Sequence, residues 1–145
     1  MNVFSDKWDA LDDWSGGGAK STRLVERGPQ LGASVYELGA GNTAAYHFHH
    51  GSEELLIVLR GQPTVRMHDG DHALAEGDVV PLPAGPQGGH QIRNDGDETA
   101  RVLIVAAHAD PDVAEYPETG KVAAIVHGEH RYHRVADAVE HAGSE

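Results

Sequence analysis

Two histidines separated by one residue, His47 and His49, are the first residues in this chain whose spacing could do chemistry. On a β-strand alternate side chains leave the same face, so both imidazoles point one way while Phe48 points the other. The turn His50-Gly51-Ser52 lets the chain return antiparallel, which sets a glutamate of the Glu53-Glu54 pair beside the histidines. Two imidazoles and a carboxylate form half of a metal sphere and suit a divalent transition ion such as iron, manganese, nickel or zinc. The chain has no cysteine, which removes disulfides, thiolate zinc sites and cysteine nucleophiles together. Any metal must then be held by nitrogen and oxygen.

Positioning such a cluster is work for strands. With 145 residues the chain has room for one domain and one core, and its 18 glycines and 7 prolines point to many tight turns joining short segments. From Leu31 onward short apolar or alternating runs predict strands over Ala33 to Leu38, Ala44 to His49, Glu54 to Arg60 and Thr64 to Met67. Further strands are expected around Leu74, then at Val79 to Leu82, His90 to Arg93, Arg101 to Ala106 and, last, Val122 to Val126. Asp69-Gly70 and Asp95-Gly96 read as hairpin turns, and Glu76-Gly77-Asp78 as a loop. Residues 1–30, with Gly16-Gly17-Gly18, read as an arm or an extra edge strand beside a barrel spanning 31–126. Asp110-Pro111-Asp112 reads as a turn and 115–121 as irregular, while a short helix from Val135 to His141 or a frayed tail fits the extension 127–145.

The stretch from Gly41 to Gly61 resembles the first motif of the cupin superfamily, Gly-x5-His-x-His-x3,4-Glu-x6-Gly, with Gly41, His47, His49, Glu54 and Gly61 at the fixed positions. The six-residue gap to Gly61 selects Glu54 over Glu53. Gly77 to Asn94 resembles the second motif, Gly-x5-Pro-x-Gly-x2-His-x3-Asn, through Gly77, Pro83, Gly85, His90 and Asn94. It departs once: Pro86 to Gly89 puts four residues where the pattern has two, so a longer loop must precede the third histidine. The resemblance implies an all-β, antiparallel jelly-roll barrel, usually dimeric, with one divalent metal on His47, His49, Glu54 and His90 facing an internal pocket. Within the superfamily the chain looks like small, single-barrel bacterial members that mostly lack assigned substrates.

A three-histidine, one-glutamate sphere leaves positions open on a five- or six-coordinate ion. With iron the natural reaction is dioxygenation; with manganese, nickel or zinc it is isomerase, hydrolase or lyase chemistry on a small molecule. Glu54 is the candidate base, and His50, in the turn beside the ligands, is a candidate for proton transfer. The competing reading is a non-catalytic metal- or metabolite-binding barrel. The two differ in the pocket lining, where an enzyme should offer a titratable group beyond the four ligands. Arg60, Arg66 and Arg93 could meet an anionic substrate, although surface ion pairs are the commoner use of such residues. The formal net charge of −12 disfavours nucleic acid and acidic lipid surfaces as partners. No apolar run is long enough to cross a bilayer and no signal-peptide order is present, so a cytoplasmic protein is expected.

Overall fold

Where apolar residues alternate, the chain is extended and the apolar face is inside. The structure is a computed structural model that describes residues 2–12, 19–25 and 30–141. Among these, the strands are β1 (Ala10–Asp12), β2 (Ala19–Val25), β3 (Leu31–Leu38), β4 (Phe48–His49), β5 (Glu53–Arg60), β6 (Thr64–Met67) and β7 (Gly70–Ala73). They continue with β8 (Val79–Leu82), β9 (His90–Arg93), β10 (Ala100–Ala107), β11 (Asp112–Tyr116), β12 (Lys121–Val126) and β13 (Glu129–Arg134). One sheet runs β1-β2-β3-β10-β5-β8, and its pairings are antiparallel. The fold is all-β, as the sequence predicts.

Opposite it stand two smaller sheets, β13-β12-β11-β4 and β7-β6-β9. Residues 42–47 stitch them together. Asn94 donates its backbone N–H to the Asn42 carbonyl, Ala44 donates to Ile92, and His47 and His90 exchange backbone bonds of 3.1 and 3.0 Å. The predicted strand Ala44 to His49 is therefore regular only at Phe48–His49. The reason is a change of partner: His47 faces β9, whereas Phe48 and His49 pair with β11. One short segment thus holds its two histidines against two different neighbours.

The core is built from Leu38, Leu56, Val58, Val65, Leu74, Leu82, Ile92 and Val102, contributed by both layers. Leu56 and Val58 are in phase with Glu54 on β5, so the alternation that buries them turns Glu54 inward and leaves Glu53 exposed. Gly61, at φ +80°, ends this strand where a Cβ would come within 2.8 Å of the Thr99 carbonyl oxygen, which is why that position needs glycine.

The terminal segments differ from expectation in instructive ways. β1 and β2 extend the first sheet, so the described part of residues 1–30 includes two strands as well as an arm. That arm is tied down by Arg101, whose buried guanidinium donates to the Val3 and Ser5 carbonyls, to Asp6 at 2.8 Å and to Glu37 at 2.6 Å. Trp8 covers it, its ring centroid 4.9 Å from the guanidinium carbon. At the other end, β11 runs from the close of the segment read as a turn to the opening of the one read as irregular, 117–120 remain a turn, and the start of the 127–145 extension forms a strand ahead of the expected helix. β13 is followed only by a 3-10 turn, Val135–Asp137. β7 ends one residue before the strand expected around Leu74, whereas β13 escapes notice in the sequence because all its residues are exposed and it carries no apolar alternation. The glycine triplet Gly16-Gly17-Gly18 lies outside the described residues. Among those that are described, no helix is long and apolar enough to cross a membrane.

Candidate metal centre

His47, His49 and Glu54 present ligand atoms that all lie within 4.8 Å of one another. His90 adjoins them, with its ring centroid 4.7 Å from that of His47 and its Nε2 3.6 Å from a Glu54 oxygen. The four residues come from three places in the fold: the 42–49 segment, the start of β5 and the start of β9.

What makes the cluster more than a gathering of polar side chains is the state of the imidazoles. His47 Nδ1 lies 3.1 Å from the Ala45 carbonyl, His90 Nδ1 lies 2.9 Å from the Gly88 carbonyl, and His49 Nδ1 lies 3.0 Å from the Asp112 carboxylate. Each acceptor needs a proton on Nδ1, which fixes the tautomer and leaves the Nε2 lone pair free. Burial, with the neighbouring His90, pushes His47 down to about 3, and burial likewise lowers His90. Both rings are therefore neutral near pH 7, and the His90–Glu54 approach is a neutral imidazole beside a carboxylate rather than an ion pair. Neutral imidazoles with free Nε2 atoms, together with one carboxylate, are a donor set that fits a divalent transition ion.

The same observation fixes a pH dependence. In the unfolded chain these histidines take protons near pH 6.5, whereas the folded metal-free protein resists doing so. Below that pH the unfolded state binds more protons, so the stability of the metal-free protein should fall as pH drops from about 6.5 toward 3. The urea midpoint of metal-free protein should be lower at pH 5 than at pH 7.5, and His47→Asn should narrow the difference.

Asp112, at the start of β11, is a site residue that the sequence did not reveal. Its buried carboxylate accepts from His49 Nδ1 and, at 2.6 Å, from Ser52 Oγ on one oxygen, and from the Gly51 and Val113 backbone N–H groups, each at 2.8 Å, on the other. Burial alone would raise its pKa; these hydrogen bonds outweigh burial and hold it below the usual carboxylate range. The Ser52 hydroxyl in turn accepts from the Ala109 N–H at 3.0 Å. The longer loop before His90 also has a defined form. It folds into a 3-10 turn, Pro86–Gly88, and is tied to the ligand strand by a 2.7 Å bond from Gly85 N–H to the His49 carbonyl.

His47, His49 and Glu54 open into a cavity of about 330 Å³. Its walls include Ile104, Ala106 and Ile125, with Tyr116, His108 and His130 as further titratable groups. The Tyr116 ring stacks on His47 at 5.3 Å, and burial raises its phenol pKa, keeping it protonated. His50 faces the other way. It packs edge-on against the buried Phe48 ring, and its Nε2 lies 2.7 Å from Glu115 on the solvent side. Tyr46 and Gln91 also face outward, against Arg66, which is itself paired with Glu118. Arg93 is engaged by Asp71 and Asp95.

The sequence matches the family described as Cupin domain over residues 34–106, half of the chain. No curated protein matches it. Among solved structures, a protein of Acidithiobacillus ferrooxidans provisionally named a sugar phosphate isomerase superposes with a TM-score of 0.74 at 29% identity, over 86% of this chain and 81% of its own. A cupin superfamily protein of Silicibacter pomeroyi called a sugar phosphate isomerase superposes with a TM-score of 0.75 at 24% identity, over the same shares. A Thermotoga maritima protein provisionally named an oxalate decarboxylase does so at 0.65 and 21% identity, over 75% of this chain and 100% of its own. The last two likenesses speak to the fold alone.

Proposed function

For a chain that belongs to the cupin family, we propose an enzyme that holds one divalent transition metal on His47, His49, Glu54 and His90 and carries out isomerase or lyase chemistry on a small molecule. The observation that carries this reading is the gathering of His47, His49 and Glu54 on a cavity lined by further titratable groups, with His90 behind them at Glu54 and all three imidazoles tautomer-fixed. A barrel that only binds a ligand has no need of those groups. The likeness to a protein provisionally named a sugar phosphate isomerase points the same way.

A bound ion of this kind supplies a Lewis acid that polarises a substrate carbonyl and makes the adjacent C–H more acidic. The protein's own groups do the rest. Glu54, beside His90, is placed to hold the ion or to take the carbon-bound proton, returning it to the neighbouring carbon. Tyr116, kept protonated, can donate a hydrogen bond to a substrate oxygen, and the walls of Ile104, Ala106 and Ile125 limit water.

The test is proton exchange. Metal-loaded protein, incubated in deuterium oxide with a panel of aldoses, ketoses and their phosphates, should incorporate deuterium next to the carbonyl of one class, as read by proton NMR. Glu54→Gln should abolish the exchange. Absence of exchange with every substrate, together with tight binding of one of them, would favour the non-catalytic barrel.

A further inference from the structure

The cavity wall across the sheet from Glu54 carries a cation that this chemistry does not use. Along β2 the side chains divide by face: Thr22 and Leu24 line a separate cavity against the N-terminal arm, whereas Arg23 and Val25 line the cavity that contains His47, His49 and Glu54. Arg66, Arg93, Arg101 and Arg131 all have carboxylate partners. Arg23 has no such partner among the described residues, although the chain holds 23 acidic residues against 11 basic ones. The imidazoles of His108 and His130 line the same cavity. Gly32 is part of this arrangement, because a Cβ there would run into the His108 ring.

The register places Arg23 relative to the metal ligands. Arg23 pairs with Ser34, Ser34 with Ile104 and Ile104 with Leu56, two residues beyond Glu54 on β5. Three strand steps amount to about 14 Å between backbones. Arg23 and Glu54 line the one cavity, so a small, extended metabolite and the two side chains together span that separation. Arg23 is exposed at the cavity rim, where a strongly hydrated dianion keeps part of its water while gaining a charge-assisted hydrogen bond.

We infer that Arg23, on the cavity that His108 and His130 also line, binds the phosphate monoester end of a substrate whose carbonyl end lies at His47, His49 and Glu54. This rests on the reading of the cavity as a metal-dependent active site, and it adds the charge and length of the substrate.

The test uses inorganic phosphate as the probe, titrated calorimetrically into metal-loaded wild type, Arg23→Gln and Arg23→Lys, with acetate as the carboxylate control. Wild type should bind phosphate more tightly than acetate, Arg23→Gln should weaken phosphate binding by at least about tenfold, and Arg23→Lys should recover part of it. Metal content should be the same in all three. Equal phosphate affinity in wild type and Arg23→Gln, no phosphate binding by wild type, or tighter binding of acetate would each overturn the inference. Failure of the underlying reading shows separately, as wild type that takes up no metal.

Discussion

Asp112→Asn should lower metal affinity by about 10- to 100-fold, although it changes one atom and leaves the shape of the side chain intact. The amide group must replace one of two oxygens. If it replaces the oxygen that faces Gly51 and Val113, two backbone N–H groups lose their acceptor. If it replaces the other, it meets His49 Nδ1 as a donor and favours the tautomer that carries the proton on Nε2, the atom needed for the ion. Asp112→Ala removes both functions. It should also destabilise the metal-free fold by about 2–4 kcal/mol, since the buried Ser52 hydroxyl and the part-buried Gly51 and Val113 N–H groups are left without their partner. Competition titration with a chromophoric chelator measures the first effect and urea unfolding the second. Wild-type affinity in Asp112→Asn would mean that His49 is oriented by packing alone.

Gly88→Ala should be the more damaging change to the fold. A Cβ at this position would be driven into the Pro83 carbonyl, backbone that no rotamer change can move aside. The cost should be about 3 kcal/mol, and the damage should reach the metal, because the Gly88 carbonyl is the acceptor that holds His90 Nδ1. Gly96→Ala is the matched control: it is exposed, its Cβ would meet only the Asn94 side-chain oxygen at 3.4 Å, and the change should fall within about 0.5 kcal/mol of wild type. Equal urea midpoints for the two variants would contradict this account of the loop.

Much of the site could be read from the sequence because strand alternation constrains a buried face. His47 and His49 share a side with Phe48 opposite, and Glu54 rather than Glu53 is inward because Leu56 and Val58 need the same face. The four-residue loop before His90 was legible as an insertion, and it delivers its histidine to the cluster. Alternation says nothing about a strand that buries no face, so β13 was invisible and the cavity wall that includes His130 could not be foreseen. Asp112 lay hidden for a different reason. It reaches His49 across 63 residues of chain, from a segment whose Asp-Pro-Asp reads as a turn, and its only distinguishing property is burial beside Ser52, a tertiary fact. His50 shows the converse limit: adjacency to the ligands in sequence suggested a part in proton transfer, yet alternation carries it to the outer face with Glu115.

The central claim is that this barrel holds one divalent metal on three histidines and a glutamate. It is tested most directly by elemental analysis of protein purified without an affinity tag or chelator, comparing wild type with His49→Ala. The account predicts about one equivalent of a single transition metal in the wild type, lost in a variant that still unfolds cooperatively. Wild type that takes up no metal, even after reconstitution with iron, manganese, nickel and zinc, would contradict it.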